Sequence, residues 1–157
     1  MVKASASNGM VERGIRSVTA QARVLLSALQ ARWGLELPID HPVICYIVEY
    51  VAILLNRFEV SADGKTSYER NKGKKAQTFG IEFGEAILWR RKKTGTALGK
   101  LTTLWEDGIY LGVMGKSNEF IVGDQKGVWK TRSVFRKPLG DGVENGRPRA
   151  AFALENR

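Results

Sequence analysis

Six apolar residues recur at alternating four- and three-residue spacing: Val11, Ile15, Val18, Ala22, Leu25 and Leu29. Only an α-helix brings such positions onto one side of the chain, so the spacing predicts a helix with a single buried stripe. Asn8-Gly9 is a turn signal just before it, and Gly34 is a natural residue for its C-terminal stop. Beside the stripe runs a second line, Glu12, Arg16, Thr19 and Arg23, with Arg13 flanking it. Taken alone, that line is a solvated face with an i,i+4 ion pair from Glu12 to Arg16, worth about 0.3 kcal/mol.

A second helix is expected over residues 42–57. Asp40 can cap it, and Pro42 is tolerated in its first turn. It is apolar on most sides and should pack on the stripe of the first helix. His41 near its start suits a capping or surface role. Cys45 falls in the apolar run, has no local base, and is expected in the core rather than as a nucleophile. A turn follows at Ala62-Asp63-Gly64. Thr66 and Glu69 then have the spacing of a capping box, in which each side chain satisfies a backbone N–H of the other residue. The short helix they start should stop at Gly73. Residues 72–77 form a basic linker, and a domain boundary is placed there.

From residue 78 the period changes to two. Phe79, Ile81 and Phe83 alternate, and residues 86–89, 109–114, 120–122 and 128–134 are strand candidates. Residues 115–118 and 124–127 are hairpin turns. The expectation is α+β: a helical segment over 1–77, then a small SH3-like antiparallel barrel over 78–137. Residues 138–157 are rich in Gly, Pro and charge and are expected to be a disordered tail.

Charge narrows the partner. The net charge is +9, and residues 86–137 hold eleven Lys and Arg against four acids. Such an excess favours a polyanion, nucleic acid before membrane. Arg90, Arg91, Lys92 and Lys93 form one run, which suits a solvated turn and phosphate contact equally. Trp89 adjoins Arg90, and Trp129 adjoins Lys130; an indole there can stack on a base or pack in the core. A single cysteine and a single histidine leave no four-ligand zinc site within the chain. The lone cysteine fits a reducing compartment. No signal peptide precedes the first helix, and the apolar run 43–55 is too short for a bilayer and contains Glu49. A nuclear or cytoplasmic, non-secreted protein without a membrane partner is expected.

Several strings also resemble one family. Asn8-Gly9-x-x-Glu12-Arg13-x-x-Arg16 resembles the end of the catalytic core in integrases of copia-type retrotransposons. Asn56-Arg57, Gly64 and Thr66-Ser67-Tyr68-Glu69 resemble the segment that follows it, with Ser67 where the family carries proline. Trp105-Glu106-Asp107-Gly108-Ile109-Tyr110-Leu111-Gly112 and Arg132-Ser133-Val134-Phe135 match more loosely. The resemblance spans about residues 7–138 and implies the end of an RNase H-like core. It implies that Glu12 is the catalytic, metal-binding last member of an Asp, Asp, Glu triad. In the complete enzyme that triad holds two Mg²⁺ or Mn²⁺ ions for DNA strand transfer. No acid precedes Glu12 in this chain.

The resemblance therefore implies an integrase fragment of a truncated polyprotein. Such a fragment would bind nucleic acid without strand transfer and need no cofactor alone. The DNA-binding candidates are Arg13, Arg16, Arg23, Arg90, Arg91, Lys92, Lys93, Lys130 and Arg132. Helices without their sheet would leave an apolar stripe for a second copy or for a chain supplying that sheet. The alternative is a non-enzymatic module that binds RNA or another protein.

Overall fold

The apolar stripe does form a helix, and the helix is longer than its stripe. The computed structural model describes residues 3–78, 80–91, 103–137, 143–144 and 147–148. Its first helix, α1, is Lys3–Trp33. The helix continues through Asn8-Gly9, which had been expected to form a turn. Helical neighbours on both sides carry the glycine at a cost of about 1 kcal/mol. At the other end Gly34 takes φ +65° and donates to Gln30 O at 2.8 Å, the stop expected from sequence.

The second helix, α2, is Val43–Phe58. Its first turn is served by His41, whose Nδ1 accepts from Val43 N at 3.2 Å. Asp40, the expected cap, is exposed, whereas His41 is buried and helps close the connector. Cys45 lies on the exposed side of α2 instead of in the core. The short helix α3, Ser67–Lys72, has the expected capping box. Glu69 N donates to Thr66 Oγ1 at 3.1 Å, Thr66 N donates to Glu69 Oε2 at 2.8 Å, and Gly73 ends the helix.

Five strands follow: β1 Ala86–Arg90, β2 Trp105–Val113, β3 Phe120–Asp124, β4 Gly127–Thr131 and β5 Val134–Arg136. They make one antiparallel sheet in the order β4-β3-β2-β1-β5. Two short strands, β6 Val143–Glu144 and β7 Arg147–Pro148, pair only with each other. The rest of the expected tail lies outside the described residues, as does Phe79. Ile81 and Phe83 are not in a strand. Gly80 and Gly84, at φ +64° and +75°, turn the chain on either side of them. The expected strand at 128–134 is two strands, because Arg132-Ser133 turns the chain from one edge of the sheet to the other.

That sheet is not the closed SH3-like barrel expected from its short strands. It is open, and β4 and β5 are its two edges, with no ladder between them. It curls enough for a two-residue turn to join those edges. At that corner a side chain ties the end of β4 to the end of β1: Thr131 Oγ1 donates to Arg90 O at 2.7 Å. β5 pairs only three residues on β1, too few to carry a ladder round to β4. The fold is α+β, with the helices on one face of an open sheet.

The apolar residues sort into two layers by strand alternation and by a register irregularity between Tyr110 and Gly112, which moves Val113 to the face of Tyr110. Ile109, Leu111 and Ile121 face the helices and share a core with Leu29, Trp33, Val43, Ile47 and Val51. Ile87, Trp89, Tyr110, Val113 and Val122 fill the inside of the curl. The helices therefore have a sheet to cover, built by the second segment of the chain itself. Each fully buried side chain of this size contributes about 1.5–3 kcal/mol.

The stripe on α1 is used only in part. Leu29 is buried, while Val18, Ala22 and Leu25 are partly covered by α2. Val11 and Ile15 are 59% and 61% exposed, because α2 does not reach that far along α1. Among the described residues no helix is long and apolar enough to cross a membrane.

Gly84 decides how closely the two layers meet. A Cβ there would stand 2.1 Å from Leu29 Cδ1, at a φ that L side chains rarely adopt. Gly84→Ala should lower stability by about 2–4 kcal/mol in urea denaturation, from overpacking plus backbone strain. Gly115→Ala is the control, since nothing lies within 4 Å of its Cβ position, and it should change the midpoint little.

A second expectation concerns acid. Arg70 donates to both carboxylate oxygens of Asp63, at 3.0 and 2.7 Å. That bond, helped by Lys65 N, lowers the Asp63 pKa from an ordinary 3.8 to about 2. A depressed pKa adds stability that is present above the unfolded value and lost as pH falls through the folded one. A carboxyl NMR titration should place the Asp63 midpoint near 2, and Arg70→Gln should return it towards 3.8.

Candidate nucleic-acid interface

Among the described residues, the exposed cations singled out from the sequence fall in two places. The first is α1. Arg13, Arg16 and Arg23 are all exposed there, on the part of the helix that α2 leaves uncovered or on its outer side. Arg16 Nη2 lies 3.5 Å from Glu12 Oε2, and both side chains are well exposed, at 79% and 65%. This is the solvated i,i+4 pair that spacing alone predicts, and water screens it strongly. Glu12 is the metal ligand implied by the integrase resemblance, but its charged neighbour is a guanidinium. Among the described residues no three His, Cys, Asp or Glu side chains gather as a metal site. Two divalent ions need several shared carboxylates, so the donor set around Glu12 does not fit them.

The second place is the corner where the sheet edges meet. Thr131 Oγ1 donates to Arg90 O at 2.7 Å, and Arg90 N donates to Ser133 O at 3.1 Å. These bonds bring Arg90 beside Lys130 and Arg132, which are remote in sequence. Arg90 and Lys130 are exposed, and strand alternation puts both on the outer face of the sheet. Arg132 is 82% exposed and its Nε lies 3.4 Å from Glu119 Oε1. A rim pair of this kind is weak and exchanges readily with a phosphate.

Arg91 has a different role. Its Nη2 donates to Glu106 Oε2 at 2.9 Å and lies 3.8 Å from Asp124 Oδ2. Its guanidinium sits 4.7 Å from the Trp129 ring centroid and 5.6 Å from that of Trp89. The two indoles are stacked, with centroids 6.0 Å apart. Asp124 is fixed in turn, since its Oδ1 accepts from Lys126 N, Gly127 N and Trp129 Nε1. Arg91 therefore closes an internal lattice of cation, indole and carboxylate. Trp89 is core, and Trp129 is tied to the turn at Asp124. Lys92 and Lys93, next in the run, lie outside the described residues.

Other basic residues of this segment are also paired. Arg136 grips Glu85 through Nε and Nη2, and Lys137 lies against Asp107. Burial raises the Glu85 pKa, but the Arg136 bond and the Glu82 backbone outweigh it and hold the carboxyl below its usual value. The positive excess counted from sequence is thus partly offset by ion pairs within the chain.

One feature of the corner was not singled out as a site from the sequence. Trp105 lies opposite Arg90 in the β1–β2 register. Its ring packs on Phe135 with centroids 4.7 Å apart, and Phe135 is 61% exposed. Both residues were read only as parts of motifs. The corner thus combines three exposed cations with an exposed phenyl ring packed on a half-buried indole, a composition that suits a phosphate backbone and an unpaired or splayed base.

Compared with protein-family models, curated proteins and solved structures, the chain matches none. The terms integrase and DNA integration therefore have no family match behind them, and the resemblance stands on its motifs alone.

The pairing pattern separates the two neighbouring arginines by experiment. Arg91→Ala should destabilise the fold by about 1–3 kcal/mol, since it removes a cation–π contact and a charge-assisted hydrogen bond. Arg90→Ala should leave the unfolding midpoint nearly unchanged. Equal losses in urea denaturation would contradict the assignment of Arg91 to the cluster of Glu106, Asp124 and the two indoles.

Proposed function

We propose that this chain binds DNA through phosphate contacts at the sheet corner, without strand transfer. The observation that carries the reading is the corner itself: Arg90, Lys130 and Arg132 exposed together beside the Trp105–Phe135 pair. The exposed Arg13, Arg16 and Arg23 on α1 offer a second, weaker strip of positive charge. The likeness of residues 8–16 to copia-type integrases supports the same partner. On that reading the chain is an integrase fragment, and DNA integration belongs to a longer protein that adds the missing carboxylates and divalent ions. Phosphate contacts carry no base information, so binding has little sequence preference.

A second reading has its own observation. Met10, Val11 and Ile15 are exposed on α1 beyond the reach of α2. An apolar strip of this kind suits a protein partner or a second copy better than it suits DNA. Salt separates the two, since phosphate contact weakens steeply with ionic strength and apolar docking does not.

The test is the salt dependence of binding to duplex DNA. Each neutralised phosphate adds about 0.9 to the slope of log K against log salt. Replacing Arg90, Lys130 and Arg132 together by Ala should reduce that slope by about 2–3. It should weaken binding to every sequence alike and leave unfolding unchanged. Unaltered affinity and slope in the triple variant would reject the corner as the DNA site. Wild-type binding insensitive to salt would reject DNA binding in favour of apolar docking.

A further inference from the structure

The second half of α2 and the connector before β1 enclose a cleft of about 350 Å³. It is separate from the basic corner and is not used by the DNA reading. Its walls are apolar, with Ile53 and Leu54 from α2, Ile81 from the connector and Val113 from β2. Its charged lining is two guanidiniums, Arg57 and Arg136, and one carboxylate, Glu82. We propose that this cleft binds a small amphipathic anion, with an apolar body between α2 and Ile81 and a carboxylate directed to the guanidiniums.

Three features support that ligand class. The volume is within the usual range for small-ligand sites, roughly 300–1,000 Å³, and so is the plan of apolar walls with a few polar groups. The polar groups are held in place by the fold. Arg57 Nη2 donates to Asn118 Oδ1 at 2.6 Å, its guanidinium lies over the Tyr68 ring, and Arg136 is fixed by Glu85. Glu82, the one carboxylate among the described lining residues, is ion-paired with Arg32, which reduces its repulsion of an incoming anion, and Glu85 likewise offsets part of the Arg136 charge. Finally, Tyr50 lines the cleft and keeps its proton. Burial raises its pKa, while interaction with the Tyr110 hydroxyl and the charge of Arg57 pull the other way and do not cancel the rise. A protonated phenol is a hydrogen-bond donor, which a carboxylate accepts and an ammonium does not.

The experiment titrates octanoate, octanol and octylammonium into the full chain and follows the methyl NMR signals of Ile53, Ile81 and Val113. Octanoate should shift those methyls saturably and bind about tenfold tighter than octanol, the margin of one charge-assisted hydrogen bond. Octylammonium should bind more weakly than either. Arg136→Gln should remove much of the octanoate advantage and leave octanol unaffected. Leu54→Trp, which fills the cleft, should abolish the shifts, whereas Val24→Trp on the exposed side of α1 should not. The proposal is overturned if octanol or octylammonium binds as tightly as octanoate. Shifts confined to residues outside the cleft, or no saturable binding, overturn it as well. If Leu54→Trp does not fold, the exposed Arg136→Gln variant still decides between anion recognition and a merely greasy hollow.

Discussion

The last turn of α1 is locked onto the turn before β1, and the rest of the structure depends on that joint. Arg32 Nη1 donates to Phe83 O at 2.7 Å, Trp33 Nε1 donates to Gly84 O at 3.2 Å, and Leu29 packs where Gly84 has no side chain. Gly84 N donates in turn to Tyr110 O at 2.8 Å, which ties the joint to β2. One glycine thus lets a helix touch a sheet, and the buried indole N–H finds its acceptor there. Without that contact Leu29, Trp33 and Ile47 would face water, and so would the outer side of Ile109 and Leu111. The helices were expected to lack a sheet; the joint shows how the second segment of the chain supplies one.

Much of this was legible in the sequence where the signal was local. The 3.6-residue period of α1, the Thr66–Glu69 box, the stops at Gly34 and Gly73 and the turns at 115–118 and 124–127 all depend on neighbours a few residues apart. The α+β class followed from the change of period after residue 78. What failed depended on distant contacts. Phe79, Ile81 and Phe83 alternate like a strand, yet Gly84 bends the chain to meet Leu29, fifty-five residues away in sequence. Cys45 was placed in the core because its neighbours are apolar, but α2 has a second side with no partner among the described residues. Barrel closure was inferred from strand length and glycine-rich turns, neither of which says whether two edges pair.

The candidate site was legible as composition and not as geometry. Arg90 and Arg91 read alike in a basic run. One is an exposed cation, whereas the other is half-buried against Glu106, Asp124 and two indoles. The difference follows from chain direction at the end of β1, where side chains alternate between the outer face and the curl. Electrostatics then divides the basic residues into those the fold uses and those it leaves to water. Arg91, Arg136 and Lys137 belong to the first group; Arg90 and Lys130, with Arg132 on its weak rim pair to Glu119, belong to the second. The bond from Thr131 to Arg90 O ties β4 to β1 and brings the second group together, so one side chain assembles the basic corner.

The most direct measurement is an amide NMR titration of the full chain with a short duplex of mixed sequence, at low and then high salt. Binding at the corner predicts shifts at Arg90, Trp105, Lys130, Arg132 and Phe135 that grow with DNA and collapse when salt is added. A smaller salt-sensitive response at Arg13, Arg16 and Arg23 is consistent with it. Shifts centred on Val11 and Ile15 that persist at high salt, or a corner that does not respond to DNA, would contradict it.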